Sequence, residues 1–171
     1  MGKTELPKMP YWDGPLAHPF YSKVVKRALD FLLALILLIP GLLMMIPLAI
    51  WVKLDSEGPV LYKAVRGGYH NQPFRICKFR SMVVDADKTG GCTAKNDDRV
   101  TRAGRVMRRL KLDELPQLFN IIAGDMSFVG PRPERPEFYE IFDKYINGFR
   151  QRMQVKQGLT GLAQLNGGYD Q

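Results

Sequence analysis

The sequence has few of the residues that zinc sites and disulfide scaffolds require. Its 171 residues include two cysteines, Cys77 and Cys92, and two histidines, His18 and His70. A four-ligand zinc site made from these two residue types would need all of them, and their spacing matches no zinc pattern. The scarcity of cysteine also argues against a disulfide-rich secreted scaffold and favours a reducing compartment. The length is that of about one domain, which argues against a polytopic transporter.

Acidic residues are scarce relative to basic ones. Lysine and arginine total 25 against 17 aspartates and glutamates, which gives a formal net charge of +8 and favours phosphates or anionic lipid as partners. Arginines recur every three residues within residues 98–110, and apolar residues form a second stripe there, so this segment is predicted to be an amphipathic helix with one basic face. The arginines of that face are Arg99, Arg102, Arg105 and Arg108. No acidic residue compensates them at i+4, so the face suits a phosphate or an anionic leaflet, although a merely solvated face is the alternative.

One long hydrophobic run lies near the N-terminus. Residues 31–52 carry no charged side chain, and a straight helix of this length would be about 33 Å long, enough to cross a hydrocarbon core of about 30 Å. Pro40 and Pro47 interrupt the run, so we expect a bend. Basic residues flank both ends, whereas a spanning helix normally has its Lys/Arg excess on one side. Both a helix that enters and leaves by the same face and a spanning helix, in which prolines are tolerated, fit these residues.

The hydrophobic run divides the chain into three parts. Residues 1–22, rich in proline and aromatic residues, are predicted to form an interfacial segment. Residues 23–53 form the membrane helix, and residues 54–171 are long enough for one small domain. Within that domain, short alternating apolar segments at residues 60–62 and 74–79 predict a β-hairpin.

Further along the domain, residues 85–98 are predicted to be a polar loop with solvated carboxylates, and residues 136–153 one amphipathic helix. A glycine-rich loop with side-chain amides follows at residues 158–168.

Two adjacent carboxylates, Asp113 and Glu114, precede a predicted helix. Asp113 fits its N-cap, Pro116 its first turn and Gly124 its terminating position. Capping is a routine role for an aspartate, and catalysis is the alternative. The segment after this helix presents Arg132 between two prolines, which stiffen the backbone of a side chain suited to bidentate phosphate binding. A rigid arginine, a basic helix face and two carboxylates together favour phosphoryl transfer.

Several motifs occur in a specific order along residues 23–168. They are Lys26-Arg27-x-x-Asp30, Lys53-Leu-Asp-Ser-Glu-Gly-Pro59, Lys78-Phe-Arg-Ser-Met82, Leu112-Asp-Glu-Leu-Pro-Gln117, Gly124-Asp-Met-Ser-Phe-Val-Gly-Pro-Arg-Pro133 and Gly158-Leu-Thr-Gly161. Each motif alone is weak, but the ordered set is specific. It resembles the bacterial sugar transferases, the monotopic phosphoglycosyl transferases that start surface-glycan assembly.

The resemblance implies a reaction and its residues. A sugar phosphate is moved from a UDP-sugar to polyprenyl (undecaprenyl) phosphate, with release of UMP, in the first membrane step of exopolysaccharide, capsule or O-antigen lipopolysaccharide synthesis. Asp113 is then the nucleophile that forms a covalent phosphosugar intermediate, Glu114 the partner of Mg²⁺, and Arg132 a phosphate ligand. From the residues themselves, Lys78, Arg80 and Arg108 are further candidates for phosphate or headgroup contacts, and generic interfacial charge is their alternative.

The resemblance also implies an α+β fold, with an N-terminal re-entrant membrane helix followed by a small, mainly helical catalytic domain with a short β-hairpin. The expected location is the bacterial inner membrane, with the domain on the cytoplasmic face and anionic lipid as a partner. Two features depart from the family. Its helix commonly bends at Ser-Pro, where this chain has Ile39-Pro40, and its members usually continue past the position of Gln171 with more amphipathic helix. We therefore expect either a shortened chain or a smaller membrane platform.

Two other functions fit part of the sequence. The basic helix suits a membrane-tethered nucleic-acid binder, which would bind in a strongly salt-dependent way but would leave the carboxylate pair unexplained. A non-catalytic membrane adaptor of glycan assembly would share the fold without turnover. We expect no nucleic acid as a partner, and the sequence leaves the sugar, the polyprenol length and any homo-oligomer open.

Overall fold

The computed structural model describes residues 18–86 and 97–166 of the chain. A π-helical turn at Tyr21–Val25 leads into α1 (Lys26–Asp55). The remaining helices and strands, in chain order, are β1 (Leu61–Gly67), β2 (Pro73–Phe79), α2 (Arg102–Arg109), α3 (Gln117–Ala123), β3 (Ser127–Val129), α4 (Pro136–Tyr145), β4 (Gly158–Thr160) and α5 (Leu162–Asn166). Short 3₁₀ turns lie at Tyr69–Asn71, Leu112–Glu114 and Phe149–Gln154. The architecture is α+β, as expected, with a long apolar N-terminal helix and a small, mainly helical domain with short strands.

Within the described residues, α1 and the turn before it form the one helix that is long and apolar enough to cross a membrane. One face of α1 is buried against the domain, through Asp30, Ala34, Gly41, Met45, Leu48 and Val52. Intervals of three, four and seven residues place this set on a single helix face. Elsewhere large apolar side chains point outward, and Ile39 and Leu43 are each 70% exposed. An apolar surface of this extent suits contact with lipid.

Pro40 and Pro47 both lie inside α1. Each removes one backbone donor from the helix, and the sequence predicted a bend for this reason, but neither proline ends the helix. Beside Pro40, Gly41 packs on α3 so closely that a Cβ there would be 3.2 Å from Cδ1 of Leu118. Packing against the domain thus supports α1 in the segment that the prolines weaken.

The predicted hairpin is present and is longer than expected. β1 and β2 pair antiparallel from Leu61 opposite Phe79 to Gly67 opposite Pro73, so the first strand extends well beyond residues 60–62. His70, in the connection, has a left-handed φ of 52°. The end of β2 that carries Lys78 contacts the turn that carries the two carboxylates.

One hydrophobic core joins α1 to the domain. Met107 of α2, Ile121 of α3 and Met126 are fully buried, and Val52 of α1 and Ile76 of β2 are each 2% exposed. Full burial of a large apolar side chain contributes about 1.5–3 kcal/mol. The apolar N-terminal helix is therefore part of the folded domain and not a detached tether.

A second, two-stranded sheet brings two distant loops together. β3 and β4 are parallel, with Ser127 opposite Gly158, and the backbone N–H of Gly158 donates to the carbonyl of Pro131 at 2.9 Å. A Cβ on Gly158 would lie 2.1 Å from the backbone nitrogen of Gly130, so this approach requires glycine. The pairing places the Gly-Pro-Arg loop against the Gly-Leu-Thr-Gly segment, which the sequence did not predict.

Several predicted boundaries need correction. Asp113 is not the N-cap of α3, which begins at Gln117 after Pro116, because residues 112–114 form a separate 3₁₀ turn. Gly124 does end α3, with φ of 92°. The helix predicted over 136–153 is two elements, since Gly148 adopts a left-handed φ of 73° between them.

Some predicted segments fall partly outside the described residues. These are the interfacial segment up to residue 17, the part of the polar loop at residues 87–96, and the end of the glycine-rich loop from residue 167. The described basic helix, α2, covers Arg102–Arg109 of the predicted 98–110 and is capped by the Thr101 hydroxyl, which accepts from the N–H of Gly104 at 3.0 Å.

Candidate active site

The two carboxylates lie in the 3₁₀ turn between α2 and α3. Lys111 adopts a left-handed φ of 59°, which redirects the chain after α2, and Leu112 and Leu115 pack against the core on either side of the pair. Asp113 and Glu114 are consequently held against the domain, each 8% exposed. Burying carboxylates costs folding free energy unless they are paired, and perturbed carboxylates of this kind mark a candidate functional site.

An ion pair connects the turn to the hairpin. Nζ of Lys78 donates to Oε1 of Glu114 at 2.6 Å, and the two side chains are 18% and 10% exposed. The relative position of β2 and α3 is fixed by Asn120, whose amide accepts from the N–H of Cys77 at 2.9 Å and donates to the carbonyl of Arg75 at 2.8 Å. The lysine predicted from sequence is therefore placed directly beside the carboxylates.

Burial raises the pKa of Asp113 above its usual range. The neighbouring Glu114 raises this pKa further, whereas Lys78, Arg108 and the backbone N–H of Asp113 itself lower it. The raised pKa means that the carboxylate is less stable in its charged form here than in water. Burial disfavours the charged form of this carboxyl and the nearby cations favour it, so its charge depends on its surroundings.

A cleft opens beside Glu114. Residues of both two-stranded sheets and of the segments next to them line it. They are Arg66, Ile76, Lys78, Glu114, Gln117, Arg132, Pro133, Gly158, Leu159 and Gln164. The structure thus brings together three residues proposed from sequence, namely Lys78, Glu114 and Arg132. These residues are distant in sequence, and the hairpin, the 3₁₀ turn and the parallel β3–β4 pair bring them together in space.

Two arginines make one side of the cleft positive. The backbone carbonyl of Arg132 accepts from the guanidinium of Arg152 at 2.8 Å, which holds the Gly-Pro-Arg-Pro loop in place. Arg66, one of the basic residues that follow the hydrophobic run, lines the same cleft. Burial lowers the pKa of Arg66, and the nearby Arg135 and Arg132 also lower it. Guanidinium groups in such proximity favour an anionic ligand between them.

The other two predicted cations occupy different positions. Arg108 donates from Nε to Oγ of Ser81 at 2.8 Å, and its charge lowers the pKa of Asp113, although it is not among the residues that line the cleft. Arg80 is 5% exposed and donates to the carbonyls of Ser56, at 2.6 Å, and Glu57. Arg80 therefore binds the C-terminal end of α1, and it is not among the residues that line the cleft, so its predicted phosphate contact stays a prediction.

The cleft is compatible with a magnesium ion that is shared with a phosphate ligand. Among the described residues there is no group of three or more His, Cys, Asp or Glu side chains that could cage a metal. Mg²⁺ commonly needs only one or two protein carboxylates when substrate phosphates and waters supply its other ligands. Glu114 lines the cleft and offers a hard oxygen donor beside Asp113, so the residues present fit this mode of binding.

Comparison with known proteins identifies what this chain is similar to. The model of the family described as "Bacterial sugar transferase" matches residues 21–171. The chain is 44% identical over 165 residues to the UDP-glucose:undecaprenyl-phosphate glucose-1-phosphate transferase of Escherichia coli (strain K12), covering 95% of this chain and 35% of that protein. It is 43% identical over 155 residues to the UDP-N-acetylgalactosamine-undecaprenyl-phosphate N-acetylgalactosaminephosphotransferase of Aeromonas hydrophila, covering 90% of this chain and 36% of that protein.

A shorter relative matches over most of its own length. The chain is 48% identical over 130 residues to the putative undecaprenyl-phosphate N-acetylgalactosaminyl 1-phosphate transferase of Bacillus subtilis (strain 168), covering 75% of this chain and 73% of that protein. The chain therefore spans about a third of the first two relatives and most of the third. The extent of the family match, together with the ordered motifs, shows that the chain belongs to the bacterial sugar transferase family.

Proposed function

We propose that this chain is a phosphoglycosyl transferase, which moves a sugar phosphate from a UDP-sugar to undecaprenyl phosphate and releases UMP. The observation that carries the proposal is the buried Asp113–Glu114 pair, in which Glu114 is ion-paired to Lys78 at 2.6 Å and lines a cleft together with Arg66 and Arg132. The names of the relatives, which specify UDP-sugars and undecaprenyl phosphate, support both substrates. The described α1 supports membrane association.

In the first step a carboxylate oxygen of Asp113 attacks the phosphorus that carries the sugar. A bond forms between this oxygen and the phosphorus, and the bond from the phosphorus to the bridging oxygen breaks, so UMP leaves with that oxygen and its electron pair. The attack brings a carboxylate towards a diphosphate, and the cations Lys78, Arg66 and Arg132 reduce the repulsion by stabilising charge on the phosphoryl oxygens.

Glu114 has a separate task from Asp113. In this proposal it holds Mg²⁺, which supplies neutralisation of the diphosphate charge when it is bound. Lys78 keeps the Glu114 carboxylate oriented towards the cleft through their ion pair. Chelation of divalent cations is expected to abolish turnover, and restoring Mg²⁺ is expected to recover it.

In the second step a phosphate oxygen of undecaprenyl phosphate attacks the same phosphorus. The bond to Asp113 breaks, the free carboxylate is restored, and the sugar diphosphate leaves on the lipid. A covalent intermediate allows a soluble donor and a lipid acceptor to use one carboxylate in turn. This requires the cleft to lie near the headgroups, on the cytoplasmic face of the inner membrane where the donor is available, and we propose that location.

We also propose that α1 is re-entrant. Near its start, Arg27 donates to the carbonyls of Ile121, at 2.5 Å, and Ile122, at 2.7 Å. At its end, Oδ2 of Asp55 accepts from the N–H of Ala103 at 2.9 Å. Both ends of the helix therefore contact one folded domain, which supports a topology with both ends on the same side of the membrane.

The proposed reaction is tested with Asp113→Asn in the full chain, using Asp98→Asn at an exposed aspartate as the control. With a labelled UDP-sugar, the wild-type protein and the control are expected to release UMP and to form a phosphosugar adduct at position 113, detected by mass spectrometry after rapid quenching. Asp113→Asn is expected to lose at least about 10³-fold in turnover and to form no adduct. Normal turnover by the Asn variant, or turnover without any adduct in the wild type, would remove Asp113 as nucleophile. Complete inactivity of every variant with every UDP-sugar would favour the adaptor.

The topology is tested by labelling single cysteines placed at Lys23 and Lys53 in sealed vesicles. A re-entrant α1 predicts labelling of both positions from the same side by an impermeant reagent. Labelling from opposite sides would show that α1 spans the membrane.

A further inference from the structure

Two amide side chains in the cleft have no task in the reaction described above. Gln117, the first residue of α3, is 2% exposed, and its Nε2 has no hydrogen-bond partner among the described residues. The Oε1 atom of Gln164, in α5, is likewise buried and without a partner within that part of the chain. Both side chains line the cleft together with Glu114 and Arg132.

Unfilled hydrogen-bonding groups of this kind are unusual in a folded domain. The large majority of buried polar side-chain atoms have a partner, and each unpaired group costs a desolvation penalty that a ligand with the complementary group would remove. Asn120, one turn further along α3, shows the ordinary case, because both sides of its amide are paired with β2. The unpaired amide nitrogen of Gln117 is therefore available to a polar ligand in the cleft.

The two amides come from different elements that meet at the cleft. Gln117 follows Glu114 by three residues, so it lies about one helical turn from the proposed metal ligand. Gln164 is held by its backbone N–H, which donates to the carbonyl of Gly161 at 3.0 Å, and Gly161 leaves room for its side chain, since a Cβ there would be 2.8 Å from Oε1 of Gln164. Both amides therefore line the same cleft as Glu114.

The lining of the cleft combines charged side chains with neutral amides. Arg66, Arg132 and Lys78 suit phosphate oxygens, whereas a neutral amide offers one donor and one acceptor side. A sugar hydroxyl, which donates and accepts at once, is the matching group, and the sugar is attached through its anomeric oxygen to the phosphorus that Asp113 attacks. We propose that Gln117 and Gln164 bind hydroxyl groups of the transferred sugar and so help to determine which sugar is accepted, an inference that rests on the proposed function.

The test uses Gln117→Met and Gln164→Met, which keep the side-chain length and remove the amide, with Gln151→Met at an exposed glutamine as the control. For each variant, kcat/KM is measured with the preferred UDP-sugar and with the UDP-linked deoxy sugars that lack one hydroxyl each. Loss of one such hydrogen bond is expected to lower kcat/KM for the full sugar by about 10- to 100-fold. For the deoxy analogue that lacks the bound hydroxyl, the wild type is already slow, and the variant is expected to lose no more than about twofold further.

Inhibition by UMP, which lacks the transferred sugar, distinguishes an effect on sugar binding from an effect on nucleotide binding. The inhibition constant of UMP is expected to stay within about twofold of wild type in both variants. If it rises as much as kcat/KM falls, the amides bind the nucleotide and the inference is overturned. Equal losses with the full sugar and all deoxy analogues would also overturn it, because they would indicate a structural role.

Folding and the proposed function are controlled separately. If Gln117→Met does not fold, as judged by circular dichroism, the isosteric Gln117→Glu and the more accessible Gln164→Met decide the outcome by the same measurements. If the wild type turns over no UDP-sugar, the proposed function fails and this inference fails with it. If the wild type is active and both variants keep wild-type kcat/KM, the inference alone is wrong.

Discussion

The ion pair between Lys78 and Glu114 allows a quantitative prediction. Lys78→Met keeps most of the apolar volume of the lysine stem and removes its charge. Glu114 then remains buried beside Asp113 without its 2.6 Å partner. We expect the variant to lose stability and to change the pH dependence of the reaction, for two separate electrostatic reasons.

The loss of stability follows from the geometry of the pair. Two unit charges 2.6 Å apart interact by about 6 kcal/mol at an effective dielectric constant of about 20. Desolvation of both groups offsets part of this, and removing one partner of a buried pair costs about 3–5 kcal/mol. Because the side chains of Lys78 and Glu114 retain 18% and 10% exposure, we expect the lower value, about 3 kcal/mol. For a chain of this size that corresponds to a decrease in Tm of about 6–12 °C.

The change in pH dependence follows from Asp113. Lys78 lowers the pKa of this carboxyl against the larger effect of burial, so its removal raises the pKa further. The proposed nucleophile must be ionised, and activity is therefore lost as the pH falls through the folded-state pKa. The acid limb of kcat/KM is expected to move to higher pH in Lys78→Met.

Thermal unfolding in detergent and pH profiles of UMP release check these two expectations. Lys63→Met, at an exposed lysine on β1, is the matched control and should change stability by less than about 0.5 kcal/mol. The double variant Lys78→Met/Glu114→Gln removes both charges and should recover part of the lost stability. A single variant as stable as the control, with an unchanged acid limb, would refute the assignment of this pair.

Two further predictions concern stability. Burial raises the pKa of Asp113, so the folded protein binds its proton more tightly than the unfolded chain does, and stability increases as the pH falls through the folded-state pKa. Asp113→Asn should therefore raise Tm at neutral pH, and its difference in Tm from wild type should shrink on acidification. A lower Tm of the variant at neutral pH would contradict this. Arg80→Gln should lower stability by about 2–3 kcal/mol, because the charged donors to the end of α1 are lost, and it should leave KM for the UDP-sugar unchanged. Arg75→Gln, at an exposed position, should change neither quantity. A raised KM in Arg80→Gln with unchanged stability would instead support its predicted role as a phosphate ligand.

The elements that were predicted correctly are those whose signals are local. The apolar run of α1 is longer than the apolar runs of ordinary soluble helices. Alternation of apolar and polar residues identifies the β2 segment, and a glycine with positive φ ends α3 at Gly124. The parallel pairing of β3 with β4 could not be predicted in this way. Each strand has three residues, too few for a periodic signal, and their partners are distant in sequence.

The candidate site shows the same division. Asp113, Glu114 and Arg132 stand in ordered motifs, so sequence alone predicts them as site residues. Arg80 stands in such a motif too, but its partners are the backbone carbonyls at the end of α1, and a free carbonyl has no signature in sequence. Arg66 was overlooked for the converse reason, since only the hairpin and the Gly-Pro-Arg loop together bring it to the cleft.

The motif at the start of α1 connects this apolar helix to the Gly-Pro-Arg loop that carries Arg132. Asp30 accepts from the N–H of Phe128 at 3.1 Å and pairs with Lys26 at 3.1 Å, and Lys26 also donates to the hydroxyl of Ser127. These bonds fasten β3, which leads within a few residues to Arg132, to a helix whose outer surface is apolar. For the proposed reaction this has a direct consequence. In the proposed topology the apolar surface of α1 sets its depth in the membrane. Because β3 is bound to α1, the fold would then set the distance of Arg132 from the headgroups before either substrate binds.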